Sequence, residues 1–314
     1  MTLEARIKGA AADAGFMLCG ICSTDAPSTQ GFYERWVEAG FGEPMDYLRR
    51  HILLKSNLES VLPGARSVIA VALNYHQPNP VVKGQPRIAQ YALGRDYHKV
   101  IPARLRSVVA LLEGHENRIC VDSAPLLERE LAQRAGLGWP GKNTMLINTR
   151  RGSWFVLGFI LTTARLVPDE PAVGGCGSCR ACIDACPTGA IQWWERASQD
   201  GEEPMSGRWI VDARLCLSTL TIETKGPLPE GTDLHGWTFG CDICQEVCPF
   251  NQERATQPER APLTQVYDFL NKRTWPSLVE LAQLSHEEWD ELTRGSPVRR
   301  TGHEGLIRNA KAGL

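Results

Sequence analysis

No run of apolar residues in this chain approaches the roughly 18 to 20 that a helix needs to cross a bilayer. The opening MTLEARIKGAAADAGF carries acids and lacks the charged-then-apolar layout of a secretory signal. Both absences argue against a membrane span or an exported precursor and for a cytoplasmic protein. Bulk charge is lacking too: 34 Lys and Arg stand against 36 Asp and Glu, for a net charge of -2. With a pI near 6.4 the chain is no wholesale polyanion binder, so any contact with nucleic acid must come from a local patch. The 11 cysteines are an odd number, which speaks against a secreted disulfide scaffold and for a reducing compartment. Its 314 residues, 43% hydrophobic, suffice for one large core or two moderate ones beside a small lobe.

What the chain does have is a pair of cysteine clusters. CGSCRACIDACP places Cys176, Cys179, Cys182 and Cys186 directly ahead of Pro187, the bacterial ferredoxin run in which three thiolates grip one 4Fe-4S cube and the fourth reaches across to a second. CDICQEVCPFN supplies Cys241, Cys244 and Cys248, one ligand short of the matching half. The isolated Cys216 can fill the gap. Two complete sets follow: Cys176, Cys179, Cys182 and Cys248 on one cube, and Cys186, Cys216, Cys241 and Cys244 on the other. Two zinc knuckles are the alternative, since CxxC pairs also hold zinc, but zinc has no use for this crossing.

Elsewhere the pattern predicts a helix from residue 3 to Gly15, then a buried strand FMLCGIC whose Cys19 and Cys22 point to opposite faces as small core residues. Helices are expected around Phe32, Trp36 and Val37 and over MDYLRRHILLK. ARSVIAVALNYH predicts a central strand buried on both faces. YALGRDYHK reads as a solvated loop leading into a helix with Leu105, Val108 and Leu112. A strand at 118–121 and a helix opening near Pro125 leave Asp122 at the corner between them, as a helix cap or as an acid aimed into a pocket. GLGWPGKN could cradle a large ligand, and residues 151–163 predict another strand. ERASQDGEEPMSG reads as an exposed insertion. After Asn251 the chain turns helical, with a capping box at Ser285 and Glu288. It ends with Arg294, Arg299, Arg300, Arg308 and Lys311 against the single acid Glu304, either a solvated tail or a phosphate-binding patch.

Taken in order, QYALGRDYHKV, VDSAPLLERELAQRAGLGWPGKNTMLI, CGSCRACIDACPTGAI, CLSTLTIETKG, FGCDICQEVCPFN and GLIRNA resemble the motifs of the epoxyqueuosine reductases, cobalamin-dependent iron–sulfur enzymes that complete queuosine in tRNA. The resemblance implies an α+β architecture. A nitroreductase-like cobalamin-binding domain would span 1–165, a ferredoxin-like double 4Fe-4S lobe 166–255, and a helical, HEAT-like, tRNA-contacting extension 256–314. It implies Asp122 as proton donor and cobalamin contacts at Lys55, Tyr91, Arg95, Asp122, Lys142, Asn143, Ser218 and Glu223. It further implies a tRNA substrate carrying epoxyqueuosine, met by Lys225, Asn251, Arg299, Arg300 and Arg308, an electron donor such as flavodoxin or ferredoxin, and a monomer. Pro140 and Thr219 depart from the family pattern, and the chain stops at RNAKAGL where the family usually continues. Removing an epoxide oxygen takes two electrons and protons, which no side chain supplies, so a redox cofactor is required. The leaving oxygen needs a proton, for which a carboxylic acid kept neutral by burial is suited. A corrinoid reductase acting on a small molecule, like the reductive dehalogenases, and a non-catalytic electron carrier are the competing expectations.

Overall fold

A computed structural model describes residues 1–196, 205–253, 260–271 and 273–314. The middle of the expected insertion, 197–204, lies outside these residues. At the centre stands a four-stranded antiparallel sheet in the order β1-β2-β7-β4. Its strands are β1 (Leu18–Ser23), β2 (Ser67–Asn74), β4 (Asn117–Cys120) and β7 (Phe155–Thr162). Every residue of β2 is buried, as its unbroken apolar run predicts. Alternation divides it between two cores. Ile69, Val71 and Leu73 face α1 (Leu3–Asp13) and α5 (Tyr97–Val109), while Val68, Ala70 and Ala72 face α6 (Glu128–Arg134). Cys19 and Cys22 fall into opposite cores for the same reason, and burial pushes both thiols up to about 12, so both stay protonated and inert.

Between β1 and β2 run α2 (Gln30–Glu38), α3 (Asp46–Arg50) and α4 (Ile52–Lys55). The single helix expected over MDYLRRHILLK is thus broken at His51. A two-residue strand β3 (Arg87–Ile88) follows β2, and a small ribbon of β5 (Trp139–Pro140) and β6 (Leu146–Ile147) carries the glycine-rich loop. The cysteine lobe contains α7 (Ala181–Ala185), the hairpin β8 (Ile191–Arg196) and β9 (Met205–Val211), α8 (Leu217–Ile222), β10 (Trp237–Phe239) and α9 (Ile243–Glu246). Strand β10 pairs in parallel with β3 and so ties the lobe to the first part of the chain. Trp194 of the hairpin packs edge-on against Phe32 and Phe41.

Three further helices, α10 (Leu278–Leu281), α11 (His286–Thr293) and α12 (Gly302–Ala312), close the chain. The expected capping box at Ser285 and Glu288 is present, and Ser277 with Glu280 makes a second. These helices share one core with earlier segments: Leu278, Leu281, Trp289 and Leu306 pack with Ile88, Leu93 and Phe239. No helix among the described residues is long and apolar enough to cross a membrane.

Candidate functional site

Four of the eight clustered cysteines share a cavity. Cys176, Cys179, Cys182 and Cys248 line one cavity of about 260 Å³. A water molecule's share of liquid volume is about 30 Å³, so the space suits a polyatomic cluster better than one metal ion. Burial, and then the neighbouring Cys176, Cys248 and Cys179, push the Cys182 thiol up to about 11. In the second set burial pushes Cys241 up to about 12 against the pull of the Ile243 N–H, with Cys216 and Cys186 among its charged neighbours. Burial also raises Cys244, followed by Cys241 and Cys216. Metal binding reverses these shifts, because a coordinating thiol is deprotonated outright.

The backbone is already arranged for thiolates. Cys216 is the residue preceding α8, and the N–H groups of Thr219 and Ser218, with the Thr219 hydroxyl, are directed to its sulfur. Cys248 likewise takes the N–H groups of Phe250 and Asn251. Helix-start amides aimed at sulfur favour the charged form. Thr219, one of the two departures from the family pattern, therefore serves a ligand directly. The other, Pro140, is exposed and pairs with Leu146.

The glycine-rich loop holds these sets together rather than standing open. Lys142 Nζ donates to the carbonyls of Gly177 (2.7 Å) and Cys179 (2.8 Å). Asn143, 3% exposed, lines the first cavity and donates through Nδ2 to the Cys244 carbonyl at 3.2 Å.

The second focus is Asp122, two residues beyond the end of β4. Its φ of 52° is left-handed, an unusual conformation for a residue with a side chain. Helix α6 opens six residues later with Leu127 as its cap and no side-chain cap bond, so the helix-cap alternative fails. Instead the Asp122 N–H donates to Glu128 Oε1 at 2.8 Å. Asp122 Oδ2 accepts from the Tyr97 hydroxyl at 3.0 Å and lies 3.3 Å from His98 Nε2. The other ring nitrogen, Nδ1, is 2.8 Å from Asp96 Oδ1, and Asp96 caps α5 through the His98 N–H at 3.0 Å. The loop expected to be merely solvated thus supplies both partners of Asp122.

A buried, neutral Asp122 is not what the structure contains. Its side chain is 61% exposed. Partial enclosure works to raise the carboxyl, but the hydrogen bond and charge of His98, with the Tyr97 hydroxyl, outweigh it and hold the group below its ordinary range. Enclosure would lower His98, yet Asp122 and Asp96 outweigh that and raise it to about 9. The proton at neutral pH therefore resides on the imidazole. Burial and then the Asp122 charge lift Glu128 to about 7. Burial lowers Lys55, whose Nζ donates to the Leu126 carbonyl at 2.9 Å and has Asp122 and Glu128 among its charged neighbours.

Around this mouth stand Tyr91, which packs edge-on against Tyr97 and also against Phe239 and the core beside Cys241, and Glu223, which accepts from Arg300 Nε (3.1 Å) and Nη2 (3.0 Å). Arg300 in turn lies 5.8 Å from the Tyr47 ring. Ser218 sits at the start of α8 beside Cys216. Other expected site residues are occupied elsewhere. Arg95 pairs with Asp268 at 3.3 Å. Asn251 is buried and binds Ser153 and Gln245. Arg299 pairs with Asp290 and stacks over Trp289. Arg308 donates to the carbonyls of Leu220, Thr224 and Gly226. Lys225 remains exposed. Arg299, Arg308 and Asn251 are thus each engaged by internal partners in this structure. Tyr97, His98 and Glu128 went unrecognised; the Asp-Tyr-His order of 96–98 was the available signal, since an N-cap Asp can hold a His two residues on.

Comparison with known proteins agrees with this geometry. The family described as epoxyqueuosine reductase QueG, DUF1730, matches residues 55–123, and a 4Fe-4S double cluster binding domain matches 175–251. The chain is 40% identical over 305 residues to the epoxyqueuosine reductase of Synechococcus sp. (strain RCC307), covering 94% of this chain and 88% of that one. Its fold is similar to the structure of epoxyqueuosine reductase from Streptococcus thermophilus, with a TM-score of 0.81 at 26% identity, covering 100% of this chain and 81% of that one. It is also similar to a crystal structure of epoxyqueuosine reductase with an epoxyqueuosine-modified tRNA-Tyr stem loop, with a TM-score of 0.77 at 28% identity, covering 99% and 80%.

Proposed function

The chain belongs to the epoxyqueuosine reductase family, and on that premise we propose that it reduces epoxyqueuosine to queuosine at the wobble position of tRNA anticodons. The observation that carries the reading is an acid pair, Asp122 with a charged His98, in an open mouth whose Tyr97–Tyr91 wall adjoins the core beside Cys241. Proton supply and electron supply thus meet in one place. Reduced cobalamin, when bound, supplies the electron pair that releases the epoxide oxygen. Both His98 nitrogens are engaged by carboxylates, so this ring is committed to the proton relay rather than to holding a cofactor. Lys55, Tyr91, Ser218 and Glu223 border the mouth and are the contacts this reading retains for the cofactor.

The residues perform the proton half of the reaction. Asp122 is exposed, where it can reach a departing oxygen, and the proton it hands on comes from His98 across the 3.3 Å contact. Asp96 keeps the imidazole oriented and charged. Glu128, near its midpoint at neutral pH, is placed to restore the second proton needed to make water. The eight clustered cysteines would hold two 4Fe-4S clusters, which would supply single electrons drawn from a carrier such as flavodoxin or ferredoxin. In this reading 1–165 form a nitroreductase-like cobalamin domain, 166–255 the ferredoxin-like lobe, and 256–314 a HEAT-like helical extension, acting as a cytoplasmic monomer. Anaerobic reconstitution with iron, sulfide and cobalamin, followed by reduction and incubation with epoxyqueuosine-bearing tRNA, tests it. Mass spectrometry of the digested tRNA should show the modified nucleoside losing one oxygen; an unchanged nucleoside alongside fully loaded, reducible centres would refute the assignment.

A further inference from the structure

If the substrate is an anticodon loop, something must hold its phosphates near Asp122, and Arg294, Arg299, Arg300 and Arg308 of the basic tail are committed to other partners. Two exposed arginines on α3, Arg49 and Arg50, are different. Neither side chain has an ion-pair or hydrogen-bond partner among the described residues, and neither do those of Lys225. All three lie within three residues, along the chain, of the partners in one contact, that of Arg300 with Tyr47 and Glu223. Tyr47, two residues before Arg49 on the same short helix, lies 5.8 Å from Arg300, and Arg300 is forked onto Glu223, two residues before Lys225. The turn carrying Lys225 is fixed on both sides, because the Thr224 and Gly226 carbonyls accept from Arg308 at 2.7 and 2.8 Å. Arg308 therefore positions Lys225 and leaves its ammonium free.

The same segment also presents apolar surface beside its cations. Leu53 is 80% exposed and Leu54 41%, while Lys55 turns inward toward Asp122. A strip with unpaired cations, bare leucines and an inner end at the reacting carboxylate matches a single-stranded loop, which offers phosphates outside and unstacked bases inside. Tyr47 stands between the two, its phenol pushed up to about 12 by burial and then by Glu223 and Asp122, so it remains a neutral donor.

We propose that Arg49, Arg50 and Lys225 form a phosphate clamp on either side of the Tyr47–Arg300 contact, gripping the anticodon-loop backbone so that the modified base enters toward Asp122. This rests on the functional reading above. The test is a salt series of binding between reconstituted protein and tRNA bearing epoxyqueuosine, for wild type, R49E/R50E, K225E and R299E. Each single-strand phosphate contact adds about 0.7 to the slope of log K against log salt. R49E/R50E should lower the slope by about 1.4 and weaken binding at least tenfold, K225E should lower it by about 0.7, and R299E should leave it unchanged. Iron content and thermal unfolding of each variant report whether it is folded. Wild-type slopes in R49E/R50E and K225E would overturn the clamp while leaving the reductase reading intact. So would loss of bound cobalamin by R49E/R50E with tRNA affinity unchanged, since the pair would then serve the cofactor's own phosphodiester. Failure of the wild type to bind or convert the tRNA would instead sink the reading on which the clamp rests.

Discussion

Replacing His98 by Gln and Asp122 by Asn separates two ways of supplying the proton. In the wild type His98 titrates at about 9 because Asp122 and Asp96 outweigh its partial burial, against an ordinary value near 6.5. A raised histidine holds its proton fully below the ordinary value and loses it as pH rises through the folded one, so the interaction between the pair is present through neutrality and lost above pH 9. Asp122 bears the opposite shift: His98 and Tyr97 hold it down against enclosure. In H98Q the strongest lowering influences vanish and enclosure remains, so Asp122 should titrate higher than in the wild type. Single-turnover conversion of epoxyqueuosine-tRNA, followed by mass spectrometry from pH 6 to 10 with a chemical reductant, reads both effects. Wild type should hold its rate until the pH approaches 9. H98Q should begin to fall at lower pH, because its donor has no charged imidazole behind it. D122N should be at least roughly a hundredfold slower throughout, the lower end of what a general acid contributes, while keeping iron and cobalamin. An H98Q profile that still breaks near 9 would refute the relay, and a D122N rate near wild type would remove Asp122 from the chemistry.

Cys216→Ala should leave about half the iron of the wild type by chemical assay, since only the set with Cys186, Cys241 and Cys244 loses a ligand. Cys19→Ala and Cys22→Ala should leave iron content intact, because both thiols lie in the sheet's cores; iron loss from either would overturn the ligand sets. Asn309→Ala should destabilise the protein by about 1 to 3 kcal/mol in denaturant titrations. Its buried amide donates to the Thr221 and Thr238 carbonyls at 2.7 and 2.9 Å, and stability equal to wild type would mean that those carbonyls find other partners.

The parts legible in the sequence were those whose cause is local. Cysteine spacing announced the grouping of Cys176, Cys179, Cys182 and Cys248 around one cavity, and the six apolar residues from Val68 to Leu73 announced a strand covered on both sides. Cys19 and Cys22 could be dismissed from strand alternation alone. What stayed hidden depends on groups far apart in the chain. The partner that holds the Asp122 carboxyl down is His98, 24 residues away and on a different element, so nothing in the local sequence announced it. The internal partners of the basic tail stayed hidden for the same reason. Arg308 finds its carbonyls more than 80 residues upstream, and nothing in a run of arginines distinguishes one that is consumed internally from one left free.

Those long-range bonds also bear on electron supply, because the C-terminal helices are wired into a cluster-binding helix. Thr221 on α8 donates through its hydroxyl to the Leu217 carbonyl and accepts there from the Gly240 N–H at 2.9 Å. It thereby fixes the helix led by Cys216 against the residue preceding Cys241. The Thr221 carbonyl in turn accepts from Thr301 at 2.8 Å and Asn309 at 2.7 Å, and Asn309 reaches on to Thr238 in β10. One buried threonine and one buried asparagine therefore set the separation of Cys216 and Cys241, two cysteines expected to share one cluster. Four sulfurs must converge on one cube, and misplacement of either segment would remove a ligand. The same helix ends at Glu223, which holds Arg300 at the mouth. A tail that served only to touch RNA would have no need of these contacts; through α8, it connects the substrate rim to the metal ligands by a single rigid turn-and-a-half of helix.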